Sequence, residues 1–270
     1  MNRNAKSQAG FTLVEMIIVM VITGVIGGMV AVFIRAPVQG YVDSARRAEM
    51  SDIADTALRR ISRDLRLALP NSVRVNTSGT GASTIYYLDF LATTGGGRYR
   101  IGAGGTNNIL DFSFADNSFE AMSSVPTCAA NDQVVIYNLG IPGAEAYAGN
   151  NRTLCSSVVA PIINITAKQF PFESPNSRFQ IVHEQVRYIC DPVAHTLSRY
   201  SLGGGAIVVP SAAVPGVGGA LLANNVSGCS FSYDSNVVAQ RSGLVTMNLS
   251  ITESGETVTL YSATHVSNVP

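Results

Sequence analysis

Tryptophan is absent from this chain, and charge is scarce: Asp, Glu, Lys and Arg make up 13%, with 18 of each sign and a formal net charge of zero. A nucleic-acid binder carries a basic excess, so this balance excludes that class. Histidine occurs three times (His183, His195, His265), and the four cysteines all lie at or beyond Cys128. There is no C-x-x-C pair, and the histidines lack ligand spacing, so a zinc site is not expected. His183-Glu184 is followed by Val186 and Arg187 and so is not H-E-x-x-H. The stretch Gly95–Gly105 lacks the Gly-Lys-Ser/Thr ending of a phosphate loop and reads as a flexible hairpin loop. No serine stands in G-x-S-x-G. Catalytic residues, metals and cofactors are therefore all expected to be none.

What the chain does have is one long apolar run. Phe11–Ile34 is 24 residues with one charge, Glu15, and exceeds the roughly 20 residues needed to cross a bilayer. A secretory signal places small residues after its apolar core. Here Ala9-Gly10 precede it, so a cut there leaves the helix on the mature chain. Arg3 and Lys6 before the run favour an inward N-terminus, although Arg35, Arg46 and Arg47 follow it.

Glu15 needs an explanation. A carboxylate in a spanning helix costs about 2.5–3.5 kcal/mol when central and less near the end, and no Lys or Arg follows until Arg35. A cut after Gly10 makes a new ammonium at Phe11, four residues away. The alternative is a snorkelling carboxylate in an ordinary signal anchor.

From Val38 to Leu69 the apolar positions Val38, Tyr41, Val42, Ala45, Ile53, Ala57, Leu58, Ile61, Leu65 and Ala68 recur at three- and four-residue steps. This predicts an amphipathic helix that needs a partner surface. Pro37 predicts a kink, and Pro70-Asn71 a stop. Asp55–Arg59 and Arg60–Asp64 are spaced to pair. The basic positions of Arg59–Arg66 read either as a solvated face or as a partner surface.

Beyond about Val73 the signals are β. Strands are predicted at Ile85–Leu91, Ile109–Phe114, Gln133–Tyr137, Val158–Ile165, Arg178–Cys190, Thr196–Ser201, Ala206–Val209, Cys229–Tyr233, Leu244–Thr252 and Thr257–Thr264. Glu253–Glu256 is predicted as a hairpin turn, and 94–105, 141–151, 203–205 and 210–219 as loops. Asp111, Asp116 and Glu120 lack the spacing of a dedicated calcium loop and read as solvated carboxylates. Four cysteines after a membrane segment suggest disulfides. Of the three connectivities, Cys128–Cys155 with Cys190–Cys229 is preferred because sequence neighbours staple local hairpins. The fold class expected is α+β: a long N-terminal helix, its hydrophobic half protruding and its amphipathic half packed on an antiparallel sheet, with a β-rich C-terminal domain.

The block Gly10-Phe11-Thr12-Leu13-Val14-Glu15 resembles the processing site of type IV prepilins and type II secretion pseudopilins, over about residues 8–35. The resemblance implies a pilin-like fold with a leader (1–10), a transmembrane and filament-core helix (11–34), its amphipathic continuation (35–70) and a β-rich periplasmic domain (71–270). It implies cleavage between Gly10 and Phe11 by a prepilin peptidase, N-methylation of Phe11, and a Glu15 that registers the helix against the amine of a neighbouring subunit. The partners implied are other major and minor pilins, the inner-membrane assembly platform and membrane lipid, with no nucleic acid. The location implied is the bacterial inner membrane, single-pass, and then the pilus. Pro37–Tyr41, Ala54–Arg66 and the closing His265–Pro270 are similar to subunits for MSHA-pilus biogenesis, and the run D-x-A-L-R-R-I-x-R-D-L-R resembles minor subunits of the J and W types. A J-type pseudopilin of type II secretion is the alternative. A tip adhesin is another, with Tyr86, Tyr87, Tyr99 and Tyr137 as a stacking surface.

Overall fold

The computed structural model describes residues 10–122, 125–203, 205, 207–216, 218–235 and 241–270. The chain divides into two compact units, Met1–Glu49 and Met50–Pro270.

The first unit is helical. Helix α1 covers Leu13–Leu65 without a break at Pro37, so the expected kink does not interrupt the hydrogen-bonded run. Pro37 has no N–H to give, which leaves one backbone bond unmade at that turn. Every side chain from Phe11 to Ile34 is exposed in the single chain, and this helix is long and apolar enough to cross a membrane.

The second unit contains the last turns of α1 and all the strands. Ala57, Leu58, Ile61 and Leu65 are buried, the later part of the apolar stripe read from sequence; Met50 and Ala54 join them, whereas Val38, Tyr41, Val42 and Ala45 at its start are exposed in the single chain. Ion pairs one turn apart flank the stripe, Arg59–Asp55 at 2.7 Å on the exposed side and Arg60–Asp64 at 3.2 Å, with Asp64 turned toward the sheet. The helix ends at Leu65, before the expected Leu69. Leu67 N donates to Asp64 O and Ala68 N to Leu65 O, a tightened final turn. The next residues then pair with a strand: Leu69 N donates to Leu91 O at 2.7 Å and Thr93 N to Leu67 O at 2.8 Å.

Twelve strands follow among the described residues: β1 (Arg74–Ser78), β2 (Ile85–Arg98), β3 (Asp116–Glu120), β4 (Gln133–Ile136), β5 (Arg152–Val159), β6 (Ile162–Lys168), β7 (Arg178–Asp191), β8 (Thr196–Leu202), β9 (Ala220–Ala223), β10 (Val226–Asp234), β11 (Ser242–Glu253) and β12 (Glu256–Ser267). Nine form one sheet in the order β1-β2-β7-β4-β5-β6-β3, with β8 on β7 and β9 on β8. Strand β7 is the spine. One edge pairs with β2 along its length, while the other is shared between β4, over Phe179–Val182, and β8, over Gln185–Asp191. The remaining three strands form a meander, β10-β11-β12. All pairings are antiparallel.

Several expected boundaries move. The Gly95–Gly97 run is strand, not loop, because β2 continues to Arg98 against the start of β7. A Cβ on Gly96 would lie 2.6 Å from the Phe179 carbonyl oxygen, so glycine permits this approach. Residues 109–114 and 207–209 form no strand, and residue 206 lies outside the described residues. The expected strand Val158–Ile165 is two strands joined at Ala160-Pro161. Strands β1, β3 and β9 lie where the sequence predicts no strand.

The principal core lies where α1 meets both sheets. It joins the buried helix stripe to Leu88, Phe90, Val186 and Tyr188 of the large sheet and to Phe231, Val245, Met247, Leu249 and Ile251 of the small one. A second core gathers Tyr99, Phe119, Ile136, Ile163, Phe170 and Phe179. The cysteines form two disulfides, Cys128–Cys155 and Cys190–Cys229, with Cα separations of 6.2 and 6.5 Å. The second does more than close a hairpin, because it ties β7 of the large sheet to β10 of the small one. Closing its loop stabilises the fold by roughly 4 kcal/mol on the chain-entropy account.

Candidate functional site

The start of α1 is set by Thr12 and Glu15, with Gly10 and Phe11 directly before them. Gly10 is exposed and lies outside the helix, and Phe11 is 86% exposed. Thr12 is the cap: its hydroxyl accepts the Glu15 N–H at 3.3 Å, and its carbonyl accepts the Met16 N–H at 3.2 Å. Thr12 and Glu15 stand at the spacing of a capping box. This explains locally why a helix begins here, and why a carboxylate is tolerated three residues beyond the cap. The positive end of the helix dipole favours negative charge in the first turn. Glu15 is exposed and makes no ion pair among the described residues. Its charge is therefore available to a cation from outside the chain. Residues 1–9, with Arg3, Lys6 and Ala9 of the expected leader, lie outside the described residues.

The globular unit holds polar clusters with structural partners. Asp64, near the end of α1, accepts from the Tyr188 hydroxyl at 2.7 Å and from Arg199 Nε at 2.9 Å, and Arg199 also donates to Glu184 at 2.7 Å. Burial opposes the charge of Asp64, but Tyr188 and Arg199 outweigh it and hold the carboxyl below its usual range. The helix end is thus clamped to β7 and β8. His183 Nδ1 lies 2.6 Å from Asp132, and His195 Nδ1 3.0 Å from the Val226 carbonyl.

The three carboxylates weighed for calcium do not share a site. Asp111 accepts from the backbone N–H and hydroxyl of Ser113, while Asp116 accepts from the Asp111 N–H. Glu120 is not a solvated loop group as expected. It is 5% exposed on β3, paired with Arg100 at 2.8 Å and with the Thr106 N–H and hydroxyl at 2.7 Å. Arg100 and then Thr106 lower its pKa from 4.5 to about 2. A depressed carboxylate stabilises above its unfolded value, and that contribution is lost as pH falls through the folded one. Amides of Thr106 and Asn108 should accordingly lose hydrogen-exchange protection between about pH 4.5 and 2. In Glu120→Gln the same amides should be equally open at pH 7 and pH 3, and unchanged protection in that variant would contradict the assignment.

Among the described residues, no three His, Cys, Asp or Glu side chains come together as a metal site. Nor do the four tyrosines form a stacking surface. Tyr87 and Tyr99 are buried, and Tyr86 packs edge-on against Phe231.

Residues 5–31 match the family described as the prokaryotic N-terminal methylation motif, about a tenth of the chain. No curated protein matches, and no solved structure matches. The motif supports a type IV pilin-like or pseudopilin-like subunit, and one long N-terminal helix followed by a domain of antiparallel sheets is consistent with that fold. Such a motif implies processing by a prepilin peptidase and association with other pilins, and the apolar helix fits a membrane anchor.

Proposed function

We propose that this chain is a minor pilin-like subunit acting in the assembly or initiation of a type IV pilus, of the MSHA type, with a structural rather than catalytic role. The observation that carries this reading is the capped turn: the exposed residues Gly10 and Phe11 directly precede the Thr12 cap, and Glu15 sits in the first turn with no ion pair among the described residues. Cleavage after Gly10 and N-methylation of Phe11 leave a cationic N-terminus, and Glu15 attracts the corresponding amine of a neighbouring subunit. Residues 1–10 are then the leader, 11–34 the span and filament-core helix, 35–70 its amphipathic continuation and 71–270 a periplasmic domain. The chain waits in the inner membrane until an assembly platform draws it into the pilus. The MSHA assignment rests on Pro37–Tyr41 and Ala54–Arg66.

The test is the number of surface pili on cells lacking the gene, with a complemented strain beside them. Loss restored by the intact gene is the expected result. The run Asp55–Arg66 also favours a second reading, a J-type pseudopilin, in which deletion stops type II secretion and leaves pili unchanged. Normal pili together with normal secretion would refute both.

A further inference from the structure

Sheet edges expose backbone groups that another chain can bind, and proteins blunt them with short strands, charges, prolines or bulges. Three edges of the large sheet are short: β1 and β3 have five residues and β9 four. In the small sheet, β10 is tied to the large sheet through Cys190–Cys229 and the Tyr86–Phe231 contact. Strand β12 has none of these protections. It runs 12 residues, pairs with β11 through an unbroken register, and has no strand on its other side among the described residues. It contains no Pro, Lys or Arg, and nothing charged stands between Glu256 and His265.

The register identifies the exposed groups. Glu253 and Glu256 close a two-residue turn in which Ser254 and Gly255 both have positive φ, 52° and 82°. That is the type I′ hairpin geometry, whose closing pair exchanges both hydrogen bonds. Antiparallel alternation then directs the N–H and C=O of Val258, Leu260, Ser262 and Thr264 toward β11. Those of Thr257, Thr259, Tyr261 and Ala263 point outward, along an edge of roughly 20 Å. On the exposed face, hydroxyls run across the strands, Thr257 to Thr252 at 2.7 Å and Thr259 to Ser250 at 2.8 Å. This ladder stops at β12 for want of a fourth strand.

We propose that the outer edge of β12 receives an extended, uncharged segment of a different pilin-like subunit as a fourth strand, alternating small apolar residues with Ser, Thr or Asn. The inference rests on the reading of this chain as an assembly subunit. The unpaired backbone row requires an extended chain, and the hydroxyl ladder favours an uncharged polar face. A second copy adding its own β12 antiparallel would do so about a two-fold axis. That sets the two Met50–Leu65 helix segments in opposite directions, which subunits sharing one filament direction do not do, and the other free edges of a second copy, β1, β3 and β9, are only five, five and four residues long, too short to cover β12; the occupant is a different chain.

The test is made with the full chain in its own cells. Thr259→Pro and Ala263→Pro each remove an outward N–H and no bond to β11, and edge strands tolerate Pro with its nitrogen facing solvent. Each should lower pilus number, or secretion, at least tenfold while the purified full chain in detergent keeps its melting temperature. Should a proline variant fail to fold, hydrogen exchange decides: peptide 257–263 should exchange at least tenfold more slowly in the assembled complex than in the free chain. Folded proline variants that assemble normally, or equal exchange in the two states, would overturn the proposal and leave the subunit reading intact. Normal pili and secretion in the deletion strain would overturn both.

Discussion

Gly10→Leu should leave the leader on the protein. The mature wild-type chain should begin at Phe11 with one added methyl group, whereas the variant should keep Met1 and form no pili. The folded chain has no reason to notice the substitution: Gly10 is exposed, outside the helix, and a Cβ there meets nothing within 4 Å. The Thr12 cap that starts the helix is two residues further on and untouched. Any defect therefore arises in recognition by the peptidase. Mass measurement of the N-terminal peptide reads the result directly, and a variant beginning at Phe11 would remove Gly10 from the site.

Arg187→Met should cost about 3–5 kcal/mol of unfolding free energy, the range for breaking a buried ion pair from one side. Asp89 and Arg187 face one another across β2 and β7 and are 0% and 3% exposed. Arg187 Nε donates to Asp89 at 2.7 Å and its NH1 to the Ala213 carbonyl at 2.6 Å, and Gln185 donates to the same Asp89 oxygen at 2.9 Å. Burial raises the pKa of Asp89 despite Arg187 and Gln185. Without the guanidinium it rises further, and a raised carboxylate loses stability as pH climbs through the interval between its unfolded and folded values. The deficit of the variant should thus be largest at neutral pH and narrow on acidification. Asp89→Val added to Arg187→Met should recover most of the loss, because no uncompensated charge remains. Chemical denaturation of all three forms gives the values. A deficit below about 1 kcal/mol, within the range of ordinary substitutions, would show that the pair carries little.

Local chemistry made the N-terminal site legible. Gly10, Phe11, Thr12 and Glu15 lie within one turn, so their spacing is their geometry. The later part of the helix stripe and the strongly alternating β11 and β12 were legible for the same reason, since period fixes face, whereas β7 alternates only at its start and is buried on both faces over Gln185–Cys190. Elements decided by distant partners were not. Asp116–Glu120 is too polar to read as a strand, yet β6 pairs with it. Conversely, Ile109–Phe114 has the composition of a strand, but Leu110 and Phe112 serve the second core from an irregular segment. Glu120 looked like a solvated acid because Arg100, its partner, is 20 residues away. The free edge of β12 is invisible in sequence, because an edge is defined by which strands are not beside it.

The position of β7 at the centre of the large sheet sets a timetable. Strand β2 carries Leu88, Phe90 and Leu91, but Asp89 must wait 96 residues for Gln185. At ~5–20 residues per second that interval is roughly 5–20 s. The meander at the end of the chain has no such wait, since a hairpin like β11–β12 closes in about 1–10 μs. The last part synthesised is therefore the quickest to settle. The vulnerable period for this protein is the earlier one, while a half-sheet of apolar side chains awaits the strand that covers its edge.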